Sequence, residues 1–247
     1  MATAIDQAWF GHYIGCIPPP LLRRGARNRR KAVSAFLALP VKTYAYVDGF
    51  NLYYRALKGT PHKWLDLGSL LRRTFPRNQI EVIRYFTARV KADPLDPDQR
   101  IRQEVYLRAL RACGNVRIHF GHFTSHIVAL PRAGSTKGKM RFTRVIRTEE
   151  KGSDVNLATH LVNDAHVGSF DVAIVVTNDS DLVEPIRIVT QGVGLPVGLL
   201  NPCDQPAGGL KRVATFYTVL RPTILRKAQF PDILFDAKGR FSKPRGW

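Results

Sequence analysis

The chain has 247 residues, 45% of them hydrophobic and 23% charged, and it carries a formal charge of +19. That length and balance describe a globular protein with one large α/β domain or two small ones, and no apolar run reaches the ~18 residues of a membrane-spanning helix. Asp6 and the Pro18-Pro19-Pro20 run ahead of a basic cluster do not form a secretory leader, and Cys16, Cys113 and Cys203 lie too far apart for a disulfide framework, so a cytoplasmic protein is expected.

Residues 1–41 read as a flexible basic N-terminal extension, rich in Pro, Arg and Gly, with only 32–38 of helical character. From residue 42 onward, strand and helix patterns alternate. Thr43–Asp48 is a short apolar strand ending on a carboxylate. Leu65–Phe75 has helical spacing, Ile80–Ala88 is a strand, and Pro97–Cys113 is a helix stopped by Gly114-Asn115. Val116–Phe123 is a strand, Ala129–Lys139 a polar basic loop, and Arg141–Arg147 alternates like a strand that pairs with 116–126 as a hairpin. Ser153–Ala165 is a helix, Val172–Val176 a wholly apolar strand, Asp181–Thr190 a helix and Leu195–Leu200 a strand.

This alternation implies a mainly parallel sheet covered by helices on both faces. The run Val172-Ala-Ile-Val-Val176 fits it, because a strand buried on both faces has no polar alternation. Right-handed crossovers then put every strand C-terminus on one edge, where sites in open α/β sheets form.

Carboxylates fall at that edge. Asp48 ends the first strand, Asp179 and Asp181 follow Val172–Val176, and Asp154 opens the helix that precedes that strand. Anionic oxygens brought within a few ångströms of one another repel unless a cation compensates. Hard dications such as Mg²⁺ accept such oxygen ligands and keep positions for water and substrate phosphate. A metal in this setting activates water for phosphodiester hydrolysis. The basic bias elsewhere suits a nucleic-acid partner: residues 1–41 hold only +5 of the charge and residues 42–247 the other +14. Singly, each acid has an ordinary reading: Asp179 or Ser180 as a helix cap, Asp154 as a first-turn acid, Asp48-Gly49 as a turn. Their arrival from separate elements at one edge is what favours the metal site.

Other candidates are weaker. His119, His122 and His126 near Cys113 approach metal-ligand spacing, but 119 and 122 on one strand face opposite ways. Gly192-Val193-Gly194 lacks the third glycine of a dinucleotide loop. Ser153, Ser180 and Cys203 have no recognisable His and acid partners. Glu149 reads as a hairpin-exit charge, and Glu150 as either that or an added ligand. Asp164, nearly three turns beyond Asp154, falls too far along the helix to reach the same pocket.

Three blocks together carry a family likeness: Tyr46-Val47-Asp48-Gly49-Phe50-Asn51-Leu52, Lys151-Gly152-Ser153-Asp154-Val155-Asn156-Leu157 and Val176-Thr177-Asn178-Asp179-Ser180-Asp181-Leu182. In order and spacing they resemble the NYN domain family of PIN-like, metal-dependent nucleases, mostly regarded as ribonucleases, over about residues 42–247. The resemblance implies a PIN-like (Rossmann-like) three-layer α/β/α sandwich with a mainly parallel sheet and a Mg²⁺ or Mn²⁺ site. It implies Asp48, Asp154 and Asp179 as metal ligands and Asp181 as a further catalytic acid, either a ligand or a water-orienting group. Asn51 and Thr177 would support the pocket, and Lys151 would contact substrate phosphate or a carboxylate. His160 departs from relatives that carry aspartate there, which thins the outer acidic shell. Relatives begin near Val41-Lys42, so 1–40 reads as an upstream extension.

The expectation is therefore a metal-dependent endoribonuclease with RNA as substrate, the Ala129–Lys139 loop gripping the backbone, and no membrane partner. The alternatives are a non-catalytic RNA-binding or regulatory protein of the same fold, and a DNA nuclease or a phosphatase of Toprim-like type, which Asp179-x-Asp181 alone would suit but which wants a glutamate where this chain has Asp48. An antitoxin-like protein partner and a homo-oligomer are both compatible with the sequence.

Overall fold

The computed structural model describes residues 41–91, 94–133, 141–205 and 207–247. Residues 1–40 of the expected extension, with its short helix at 32–38, and the expected basic loop from 134 onward lie outside the described residues; Val41, expected to end the extension, begins the first strand.

The centre is a six-stranded parallel sheet built from β1 (Val41–Asp48), β2 (Asn78–Thr87), β3 (Val116–Phe120), β6 (Val172–Val176), β7 (Val197–Asn201) and β8 (Phe216–Val219). Their spatial order is β3-β2-β1-β6-β7-β8. The order grows outward in both directions from β1 and β6, so the crevice between those two strands is the topological switch point of the sheet.

Side-chain alternation makes the two flanking layers. On β1, Ala45 and Val47 join one buried cluster and Tyr46 the other; on β6, Val172, Ile174 and Val176 oppose Ala173 and Val175. The first cluster is completed by α2 (Leu67–Thr74), α3 (Gln99–Ala112) and α7 (Pro222–Lys227), through Leu70, Leu107 and Leu225. The second is completed by α4 (Ser153–His166), α5 (Val183–Arg187) and α6 (Gly208–Val213), through Leu161, Ile186 and Leu210. All five residues of β6 are buried, and each large aliphatic among them contributes about 1.5–3 kcal/mol by leaving water. The expected three-layer α/β/α sandwich is thus the observed one.

Several expected boundaries change for physical reasons. The expected strand 116–123 breaks at Gly121: β3 stays in the main sheet beside β2, while β4 (His122–Pro131) leaves it. The hairpin is therefore β4 with β5 (Phe142–Lys151), in register from His122 opposite Lys151 to Pro131 opposite Phe142, and not 116–126 with 141–147. The first residues of the expected loop, Ala129–Pro131, continue β4. The expected helix 181–190 is composite: a 3₁₀ turn at Ser180–Leu182, then α5, then a widened π turn at Ile188–Val193. Pro185 sits in the first turn of α5, where its missing N–H costs little.

A second hairpin, β9 (Ile233–Asp236) with β10 (Gly239–Ser242), closes the described chain. It is fastened to α3 by a bidentate pair, Arg108 Nε and Nη2 each donating to Asp236 at 2.7 Å. Among the described residues, no helix is long and apolar enough to cross a membrane.

Candidate metal centre

At the C-terminal end of β1 the chain turns at once into α1 (Gly49–Leu52), which runs into a π-helical segment at Tyr53–Leu57. Asp48 holds that turn, its Oδ1 accepting from Asn51 N at 2.9 Å. Glycine is required next: a Cβ on Gly49 would lie 2.7 Å from both the Phe86 carbonyl oxygen and the Tyr85 ring. The helix therefore packs hard onto β2, and the Asp48 carboxylate is fixed at the switch point.

Asp179 arrives from the neighbouring strand. It follows β6, caps the next turn by accepting from Asp181 N at 3.0 Å, and donates its own N–H to Thr177 Oγ1 at 3.1 Å. Asp154 comes from the first turn of α4. Gly152 permits this approach, because its φ of 94° is a left-handed conformation that other residues rarely adopt.

The three carboxylates meet: Asp48, Asp154 and Asp179 each offer an oxygen within 4.8 Å of the others. They share a cleft of about 330 Å³ with Phe50, Asn51, Tyr54, Arg55, Phe123, Glu150 and Ser153. Asp48 is 4% exposed, the other two half-buried. Burial, reinforced by the charges of Asp154 and Asp179, pushes the Asp48 carboxyl up to about 6, against the opposing hydrogen bonds from Asn51 and Thr177. Burial also raises Asp154, with Asp179, Glu150 and Asp181 adding to it. No lysine or arginine forms an ion pair with the three among the described residues.

Two expected supporting residues are in place. Thr177 Oγ1 donates to Asp48 Oδ2 at 3.0 Å, and Asn51 Oδ1 accepts from Asn178 N at 2.9 Å, tying α1 to the β6 loop. Asp181 is exposed at the rim, near enough to raise Asp154 but outside the group of three. Lys151 is not brought to the cluster. It lies on the opposite face of β5 from Glu150, with its ammonium 3.1 Å from Glu149. Asp164 is likewise elsewhere, bonded to Tyr46 and Arg84. Among the described residues the histidines do not gather into a ligand set: His119 stacks on Phe86 at 4.9 Å and its ring centre lies 4.1 Å from that of His160.

Glu150 is the residue whose place the sequence left open. Its Oε1 accepts from Ser153 N at 3.1 Å and its Oε2 from Ser153 Oγ at 2.7 Å, so it caps α4 and adds a fourth acid to the cleft wall. The spacing Glu150-x-x-Ser153 at a helix start was the available signal. Phe50 and Phe123, 5.7 Å apart edge to face, form an apolar lip that sequence reasoning did not single out.

The donor set fits a hard divalent cation. It is all oxygen, partly withdrawn from water, anionic, and without an ion-pair partner among the described residues.

The NYN domain family model matches residues 42–221. The 6-hydroxy-3-succinoylpyridine 3-monooxygenase HspA of Pseudomonas putida is 31% identical over 187 residues, covering 66% of this chain. This chain spans only 60% of that protein's length. Among solved structures, a protein of unknown function from Vibrio parahaemolyticus superposes with a TM-score of 0.50 at 17% identity, covering 74% of this chain and 94% of that one.

Proposed function

Because the chain belongs to the NYN domain family, whose PIN-like α/β sandwich it has, we propose that it is a divalent-metal-dependent endoribonuclease. The observation that carries this reading is the meeting of three uncompensated carboxylates, from three separate elements, within 4.8 Å at the switch point. Asp48, Asp154 and Asp179 would hold Mg²⁺ or Mn²⁺. When bound, the ion would lower the pKa of a water and stabilise developing charge on phosphate oxygens.

The protein's own residues set the stage for that chemistry. Thr177 and the Asn51 N–H fix both oxygens of Asp48, so the carboxylate keeps one orientation. Asp181, bonded through its N–H to Asp179, would orient a water. Arg55 on the cleft wall and exposed Arg144 on β5 supply positive charge for the RNA backbone. Lys151, 56% exposed, would meet phosphate on the outer face of the hairpin.

The test is cleavage of labelled RNA and DNA by the full chain with Mg²⁺, with Mn²⁺ and with EDTA. RNA shortening that needs the metal is expected, with a loss of about a hundredfold or more in Asp48→Asn. Equal cleavage by Asp48→Asn ends the assignment. A second reading follows from the Pseudomonas relative, whose name makes it a monooxygenase of a substituted pyridine. In that reading the chain acts on a small heteroaromatic compound. Turnover of 6-hydroxy-3-succinoylpyridine, with RNA left intact, would select it.

A further inference from the structure

Behind the acidic cleft, separated from it by one turn of helix, lies a second cavity of about 330 Å³. This is the small end of the roughly 300–1,000 Å³ of ligand pockets. Phe50 and Tyr54 form the dividing wall and line both spaces. The wall belongs to α1 and the π-helical Tyr53–Leu57, an irregularity that in other proteins accumulates at functional sites.

Rings dominate the cavity. Tyr53 and Tyr54 lie 5.3 Å apart edge to face, Tyr85 and Tyr106 6.3 Å apart, and Tyr106 and Trp247 5.6 Å apart. None of the catalytic roles assigned above uses them. Between the rings stand the cations Lys63, Arg102 and Arg245, the carboxylate of Asp96, the amides of Gln99 and Gln103, and the Thr87 hydroxyl. Arg102 is held by Asp96, and Gln103 is spent on Val90 N and the Ala88 carbonyl. The Gln99 amide and the Lys63 ammonium also line the cavity, and neither has a hydrogen-bonding partner among the described residues. With Arg245 at the mouth, three cations face one carboxylate.

Aromatic faces, one amide able both to donate and to accept, and a positive rim are the elements that recognise a nucleotide: the base stacks, its edge bonds to the amide, and its phosphate meets the cations. We propose that this cavity is a base-binding subsite, which one unstacked base of the RNA strand enters while a neighbouring phosphate lies at Asp48, Asp154 and Asp179. The inference rests on the nuclease reading and adds to it a nucleotide preference near the cut.

Two measurements on the full chain test it. First, nucleoside 5′-monophosphates are titrated in EDTA while tryptophan fluorescence is followed, with Trp247→Phe assigning the signal and nicotinate as a free heteroaromatic acid for comparison. Saturable quenching by nucleotides is expected, weakened at least about fivefold in Gln99→Ala. Second, an RNA oligonucleotide is cut with Mg²⁺ while an abasic residue is moved along it. One position beside the scissile bond is expected to slow cleavage about tenfold or more, and Gln99→Ala should flatten the differences among the four bases there. Nucleotides binding no better than nicotinate, or abasic residues without effect while cleavage persists, would overturn the proposal. Gln99-dependent nucleotide binding without any RNA cleavage would keep the pocket and sink the nuclease reading instead.

Discussion

Helix α4 carries an aspartate at each end, and the two meet opposite treatment. Asp164, 3% exposed, is fully compensated: Arg84 Nε and Nη2 donate to its two oxygens at 2.7 and 3.0 Å, and the Tyr46 hydroxyl donates at 2.7 Å. At the other end, Asp154 leans on Asp179 and on Asp48, which is as buried as Asp164. There, among the described residues, the donors to Asp48 are the Asn51 N–H and the Thr177 hydroxyl, both neutral. The carboxylate that completes its pairing within the chain is structural. The cluster without such pairing among the described residues is the candidate place for an external cation. Neither the residue type nor the degree of burial separates them; the partners do.

The largest effect that would break this comparison is on stability. Removing a buried charge's partner typically costs 3–5 kcal/mol, so Asp164→Ala, which strands Arg84 and Tyr46, should lower unfolding free energy by about that much in urea. Asp48→Asn should do the reverse in metal-free protein. Burial pushes Asp48 from the ordinary 3.8 up to about 6. Between those values the folded state keeps a proton that the unfolded chain has released, so stability falls as pH rises through that window. At pH 7 the ionised carboxylate costs up to about 3 kcal/mol. Asparagine escapes this cost, and the variant's advantage should vanish below about pH 4. Equal stability of the two proteins from roughly pH 3.5 to 8, beyond both ends of that window, would mean that Asp48 is not strained by its neighbours.

Much of this contrast was readable in the sequence, and the part that was not has identifiable causes. Asp48, Asp154 and Asp179 were legible because each stands where an apolar strand ends or a helix begins, and a parallel α/β sheet sends such positions to one edge. The two-sided burial of Val172–Val176 was legible from its unbroken apolar run. Asp164 was placed correctly outside the cleft by helix rise, yet its partner Arg84 lies 80 residues away on β2, and no local pattern announces it. The side of the hairpin that faces the cleft depends on where β4 begins. Once the strand breaks at Gly121, parity turns Glu150 toward the acids and Lys151 away from them. A break of that kind reflects tertiary crowding: a Cβ on Gly121 would come within 2.2 Å of Glu150 Oε1. The last elements, α6 through β10, pack by long-range contacts such as Trp64 Nε1 donating to the Pro231 carbonyl, and their short apolar runs carry no period of their own.

Adding the cation should erase the penalty at Asp48. At a Mg²⁺ or Mn²⁺ concentration about a hundredfold above Kd, the native state should gain about 2.7 kcal/mol. This would be seen as a raised Tm at pH 7 in the parent and not in Asp48→Asn. Asp164→Asn, which keeps the cleft acids, should respond to the metal like the parent in the size of its Tm shift. A metal response in Asp48→Asn equal to the parent's would move the ion away from this cleft.

The smallest effect probes how firmly Asp48 is held. Thr177→Val keeps the shape of the side chain but removes the donor to Asp48 Oδ2 and the acceptor for Asp179 N. Losing these two hydrogen bonds, one of them to a carboxylate, costs about 2 kcal/mol of stability. Groups that orient ligands are worth roughly 10–100-fold in metal affinity, so the metal titration, read by Tm or calorimetry, should weaken by about tenfold while the fold survives. Thr177→Ser restores the hydroxyl and should recover most of that loss. A serine variant as weak as the valine one would mean that the hydroxyl alone does not hold Asp48 in place.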